Sequence, residues 1–211
     1  MAILQRIKGS PGEFFIPALG KKIKIVEWKE DDRYDTVVQA SGAITAGTVL
    51  NFFRDLTNKD VNDGNFNSAK KLMSNGEEMV LERIGVDVPM CVGNTLVTPA
   101  DIKRVAFNGY LLLKIDRRDV AEGPLYKFPS GYGLAGSTTE NNTGIVSLGV
   151  ASTASAAKLI REQEISQDTD VAASLQFFNH TWDAGNMPTL VSKVWVRLFL
   201  HGLIKAGATK G

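Results

Sequence analysis

Between Lys193 and Lys205 the side chains sort by parity. One set is Val194, Val196, Leu198, Leu200, Gly202 and Ile204; the other is Lys193, Trp195, Arg197, Phe199, His201, Leu203 and Lys205. A strand sends alternate side chains to opposite faces, whereas a helix would scatter the aliphatic set around its circumference. The pattern predicts a strand with one face in an apolar core. Val171–Phe178 repeats it with Val171, Ala173, Leu175 and Phe177. Thr48–Leu56 does so with Leu50, Phe52 and Leu56 against Asn51 and Asp55. Lys22–Trp28, Glu78–Val88, Tyr110–Ile115, Ile145–Val150 and Thr36–Ala40 bring the expectation to seven or eight strands.

Helical signals are few. Thr98-Pro99-Ala100-Asp101 has a capping hydroxyl, a proline suited to the first helical position and an acid for the capping box. That helix must stop near Asn108-Gly109. Asn67–Met73 reads as a turn or two of helix, and Ala154–Glu164 as either helix or strand. Gly123–Gly144, rich in Gly, Ser, Thr and Asn, reads as one long loop of the kind used for function or interfaces. Many short strands, turns between them and one or two short helices in connections predict an all-β fold. The expected form is a two-sheet β-sandwich, with a single jelly roll leading over other Greek-key arrangements.

Composition narrows this further. With 211 residues, 44% of them apolar and 22% charged, the chain is expected to be one globular domain spanning 1–211. Cys91 is the only cysteine, which excludes an internal disulfide and any cysteine-based zinc cluster. His180 and His201 are the only histidines, too few for a His-rich metal centre. The first 15 residues contain no secretory apolar core, so the expectation is synthesis in a reducing cytoplasm. The longest apolar run, Val194–Ile204, is 11 residues and contains Arg197 and His201, too short and polar to span a bilayer.

Catalytic motifs are weak throughout. Gly131-Tyr132-Gly133-Leu134-Ala135-Gly136 matches G-x-G-x-x-G, but neither the strand before it nor the helix after it is present. Asn58-Lys59-Asp60-Val61-Asn62-Asp63-Gly64 has calcium-like oxygens at the wrong spacing, since the sixth and twelfth places hold Asp63 and Ala69. No nucleophile turn accompanies His180. The expectation is therefore a non-enzyme with no catalytic residue, no cofactor and no metal.

Charge is unevenly spread. Residues 1–24 carry +4 and residues 184–211 another +4, so an overall charge of +1 leaves the body between them at −7. Basic ends around an acidic body read either as ordinary solubility and chance or as termini lying together on a face that meets something anionic, such as nucleic acid or lipid headgroups.

Several stretches resemble the jelly-roll coat proteins of tailless icosahedral viruses and bacteriophages. Val194–Lys205, an alternating run ending in Gly and a basic residue, is similar to the last strand of such subunits. Phe53-Arg54-Asp55-Leu56-Thr57 with its Asn-rich turn resembles an early strand leading into an outer loop. Gly123-Pro124-Leu125 to Gly136 is similar to a loop packed between capsid neighbours. The resemblance implies a capsid protein, major or minor, that self-assembles into an icosahedral shell in the virion. Its partners would be copies of itself, other capsid proteins, and viral nucleic acid or an internal membrane. A basic N-terminal arm, about 1–24, would face that interior, with Arg6, Lys8, Lys21, Lys22, Lys24, Lys205 and Lys210 as candidate contacts. The rival expectation is a carbohydrate-binding, lectin-like sandwich using Trp28, Tyr132 and Trp182 as exposed aromatics.

Overall fold

The structure is a computed structural model that describes residues 4–10, 12–17, 19–57, 59–68, 70–89, 91–92, 95–129, 135–137, 145–147, 156–178 and 187–205. At 91–92, 95–96, 135–137 and 145–147 only the backbone is described.

Eight strands build two four-stranded antiparallel sheets. In chain order they are β1 (Trp28–Gln39), β2 (Val49–Phe52), β3 (Glu78–Asp87), β4 (Gly109–Ile115), β5 (Arg118–Pro124), β6 (Ala157–Ser166), β7 (Val171–Phe177) and β8 (Val194–Lys205). Sheet 1 runs β6-β3-β8-β1 and sheet 2 runs β5-β4-β7-β2. The helix α1 (Pro99–Asn108) lies in the connection from β3 to β4, and single 3₁₀ turns occupy Ile25–Glu27 and Leu125–Lys127.

The parity of β8 sets the inner face of sheet 1: Val194, Val196, Leu198 and Leu200 are fully buried. Leu111 and Leu113 of β4, with Leu175 and Phe177 of β7, do the same for sheet 2. Both inner faces join one apolar cluster with Phe52, Leu81 and Ile84, so each sheet keeps water off the other. Each such side chain gains about 1.5–3 kcal/mol from leaving water.

The helix start follows its sequence. Thr98 is extended (φ −69°, ψ 136°), its hydroxyl accepts from the Asp101 amide at 3.3 Å, and Pro99 opens the helix. Gly109 ends the helix at the first residue of β4. A Cβ there would lie 2.7 Å from both Leu125 Cδ1 and Leu175 Cδ1.

Several expectations are corrected. The described residues of Asn67–Met73 hold no helix; Ser68 and Lys71 instead form an isolated antiparallel bridge, with Lys70 in the left-handed region (φ 61°). Of the expected Thr36–Ala40, Thr36 to Gln39 is only the end of a 12-residue strand and Ala40 lies past it, because β1 pairs with β8 from Trp28 to Gln39. Ala154–Glu164 resolves as strand β6 over its described part. Gly123 and Pro124 belong to β5 rather than to a loop. Ile145–Ser147 pairs with Ala135–Ser137, and 148–150 lie outside the described residues, as does most of the expected loop at 123–144.

The basic segment at 1–24 forms a three-stranded sheet, Gln5–Arg6, Glu13–Ile16 and Lys21–Lys24. It packs Ile16 and Ile23 on Trp28, Val80 and Leu203, covering one end of the outer face of sheet 1.

Candidate functional site

The basic residues separate into two groups. Arg6, Lys8, Lys22 and Lys24 are exposed on the N-terminal sheet, and alternation in Lys21–Lys24 turns Lys22 and Lys24 away from buried Ile23. Lys21 is committed inward: its Nζ lies 2.5 Å from both Glu78 Oε2 and Glu164 Oε1. Burial disfavours its charge, but the hydrogen bonds to Glu164 and Glu78 outweigh it and raise the ammonium pKa. Lys205 Nζ lies 4.0 Å from Glu78 Oε1. The two basic ends of the sequence therefore meet at one carboxylate. Lys210 lies outside the described residues.

Along the rest of the outer face of sheet 1 runs an aromatic and cationic ladder. Arg197 sits 5.4 Å from the Tyr34 ring and 5.9 Å from the Phe199 ring, and its Nε donates to Thr36 Oγ1 at 3.0 Å. Phe199 stacks on His201 at 5.7 Å with planes 9° apart, and His201 Nδ1 is 2.6 Å from Asp32 Oδ1. Burial pushes the Asp87 carboxyl up, against the pull of Arg197, its register partner. The loop after β2 reaches this face, where Tyr34 Oη donates to the Val61 carbonyl and Arg197 to that of Asn62.

Two buried carboxylates hold loops to the sandwich. Asp35 accepts from the Phe53 and Thr36 amides at 2.6 and 2.8 Å and from Lys59 Nζ at 2.5 Å. Burial still wins there and raises its pKa. Asp101 is also buried, yet the Ser192 and Val191 amides (2.7 and 2.9 Å), the Ser192 hydroxyl (2.9 Å) and the Thr98 hydroxyl hold its pKa below the usual range. Asp101 was readable as a cap. Its bonds across 90 residues had no signal in the sequence.

Sheet 2 ends in exposed rings. Phe107 of α1 and Tyr126 are 54% and 60% exposed with centroids 5.4 Å apart, and Tyr110 meets Phe178 edge-on at 5.6 Å. Beside them, between the edge strands β5 and β6, opens a slot of about 340 Å³. Its walls are apolar (Ile84, Val120, Phe128, Leu159), and its charges balance, Asp119 and Glu122 against Lys127 and Lys158.

Trp28 is 8% exposed in the cluster under the N-terminal sheet, so it presents no ring to a glycan; Tyr132, Trp182 and His180 lie outside the described residues. Among the described residues no three His, Cys, Asp or Glu side chains come together as a metal site, and no helix is long and apolar enough to cross a membrane. No protein-family model matches the chain, and no curated protein matches its sequence.

Proposed function

We propose that this chain is a structural subunit, a single jelly roll that assembles with copies of itself into the icosahedral shell of a virus or bacteriophage. The observation that carries the reading is the pairing of its strands: β1 with β8, β2 with β7, β3 with β6 and β4 with β5. Those four pairs are what one long antiparallel hairpin of eight strands would make. Rolling that hairpin over adds β3 beside β8 and β4 beside β7, the two remaining contacts. Such double-sheet rolls serve in capsids and lectins alike. The buried Trp28 takes away one ring that a lectin would use, and the exposed, ring-bearing end of sheet 2 offers the apolar area that a contact between subunits needs.

Arg6, Lys8, Lys22 and Lys24 then face phosphates inside the shell, while Lys21 and Lys205 hold the N-terminal sheet in place through Glu78. The purified protein, followed by negative-stain microscopy and sedimentation across concentrations, is expected to yield closed particles of uniform size. A monomer that persists at every concentration overturns the reading.

A further inference from the structure

We infer that copies of this chain join head to tail, the Phe107–Tyr126 surface of one seating residues 54–57 and 59–63 of the next. The inference rests on the shell-subunit reading and names the contact it requires.

The two surfaces sit on opposite sides of the molecule. The loop leaves edge strand β2 and lies along edge strand β1, with Gly64 bridged to Asp35. Tyr126 follows edge strand β5, at the other margin of sheet 2, and Phe107 closes α1 beside it. Each surface is apolar at its centre. Val61 is 76% exposed and Leu56 39%, against 54% and 60% for Phe107 and Tyr126.

Their charges are opposite. Asp55, Asp60 and Asp63 surround Val61 and Leu56, with Arg54 as the loop's outward cation, because Lys59 turns inward onto buried Asp35 at 2.5 Å. Exposed Lys103 and Lys127 flank the rings, Lys127 leaning on the Glu122 carbonyl at 3.1 Å with exposed Glu122 as that surface's outward acid, and the acid of α1, Asp101, is turned inward onto Val191, Ser192 and Arg104. A two-fold contact of either surface with itself would set like charges together. Rim against opposite rim removes that repulsion and steers the encounter. A heterologous contact of this kind closes into rings when the rotation allows, as a shell of repeated subunits needs. The loop is also held ready: Tyr34 and Arg197 fix the carbonyls of Val61 and Asn62, so little ordering remains for binding to impose.

A charge swap tests the pairing. One variant carries Lys103→Glu and Lys127→Glu, a second carries Asp55→Lys and Asp60→Lys, and a third carries all four, with thermal unfolding confirming that each folds. In low salt, sedimentation velocity is expected to show that each double variant needs about tenfold more protein to assemble, and that the fourfold variant recovers most of the loss. Double variants that assemble like the wild type, or a folded fourfold variant that stays impaired, overturn the contact. If the wild type itself closes into particles while the double variants do too, only this contact falls. If the wild type never associates, the shell reading falls with it.

Discussion

Sheets 1 and 2 share a core but are finished differently on their outer faces. Sheet 1 has strands of 10 or 12 residues, while those of sheet 2 run from 4 to 7. The outer face of sheet 1 carries a third layer at one end and the Arg197–Tyr34–Phe199 ladder along its middle. Sheet 2 ends instead in Phe107, Tyr126 and Phe178, each about half exposed or more. Sheet 1 covers much of its outer face with the chain itself, although Ile160 of β6 and Val38 of β1 stay exposed, whereas the exposed apolar area at sheet 2 is aromatic and gathered at one end. The difference assigns internal cover to one layer and exposed rings to the other.

Two glycines probe the contrast between the sheets most severely. At Gly202, where β8 meets an irregular register in β3, an added Cβ would sit 2.0 Å from the Val80 carbonyl oxygen. The three nearest atoms are all backbone of β3, which cannot step aside as a side chain can, so Gly202→Ala is expected to cost more than about 4 kcal/mol and to leave little soluble protein. At Gly109 in sheet 2 the nearest atoms are the ends of the Leu125 and Leu175 side chains at 2.7 Å, which can move, with the Val105 carbonyl at 2.8 Å. Gly109→Ala should cost about 1–3 kcal/mol, a loss that denaturant titration can rank against the first. Equal losses would erase the distinction between a glycine walled by backbone and one whose nearest atoms are side-chain ends.

Asp101 ties the helix beside sheet 2 to the chain just before β8, and so couples the two layers. Asp101→Ala strips the Val191 and Ser192 amides of their acceptor and is expected to cost about 2–3 kcal/mol. The sign with pH follows from its depressed pKa. Its contribution is whole above the unfolded carboxylate pKa and is lost as pH falls through the lower folded value. Asp35 works the other way: its raised pKa means that protonation favours the fold, a contribution that disappears as pH rises through the folded value. Melting temperature against pH for wild type and Asp101→Asn separates the two, since only the Asp101 variant should flatten the acid limb.

The smallest effect is expected at the turn between β4 and β5, where Asp116 and Arg117 both take positive φ, 47° and 67°. Arg117→Gly relieves a strained left-handed residue and should add up to about 1 kcal/mol. A loss on chemical denaturation would count against that account of the turn.

The inner strands were readable in the sequence because a strand with one buried face must alternate, as β4, β7 and β8 do. The edges were not. In β5, Arg118, Asp119 and Glu122 break up any apolar alternation, because an edge strand needs few apolar residues to keep its place beside β4. The first half of β1 hides behind Lys29, Glu30, Asp31, Asp32 and Arg33, which a period-two pattern cannot reveal. The basic ends were plain from charge counting. That Lys21 would be spent on Glu78 and Glu164, 57 and 143 residues away, is a fact of tertiary structure alone.

The order of the strands also has a bearing on timing. β8 lies between β1 and β3, yet it is the last strand of the two sheets to leave the ribosome. Until it arrives, those two strands have nothing to bridge them, and the N-terminal sheet lacks Leu203, part of the floor it rests on. Sheet 2, whose strands all precede Val194, can form first. Synthesis thus acts as a checkpoint: the longer-stranded layer exists only once β8 has been made, so a chain that stops before Val194 has no complete sheet 1.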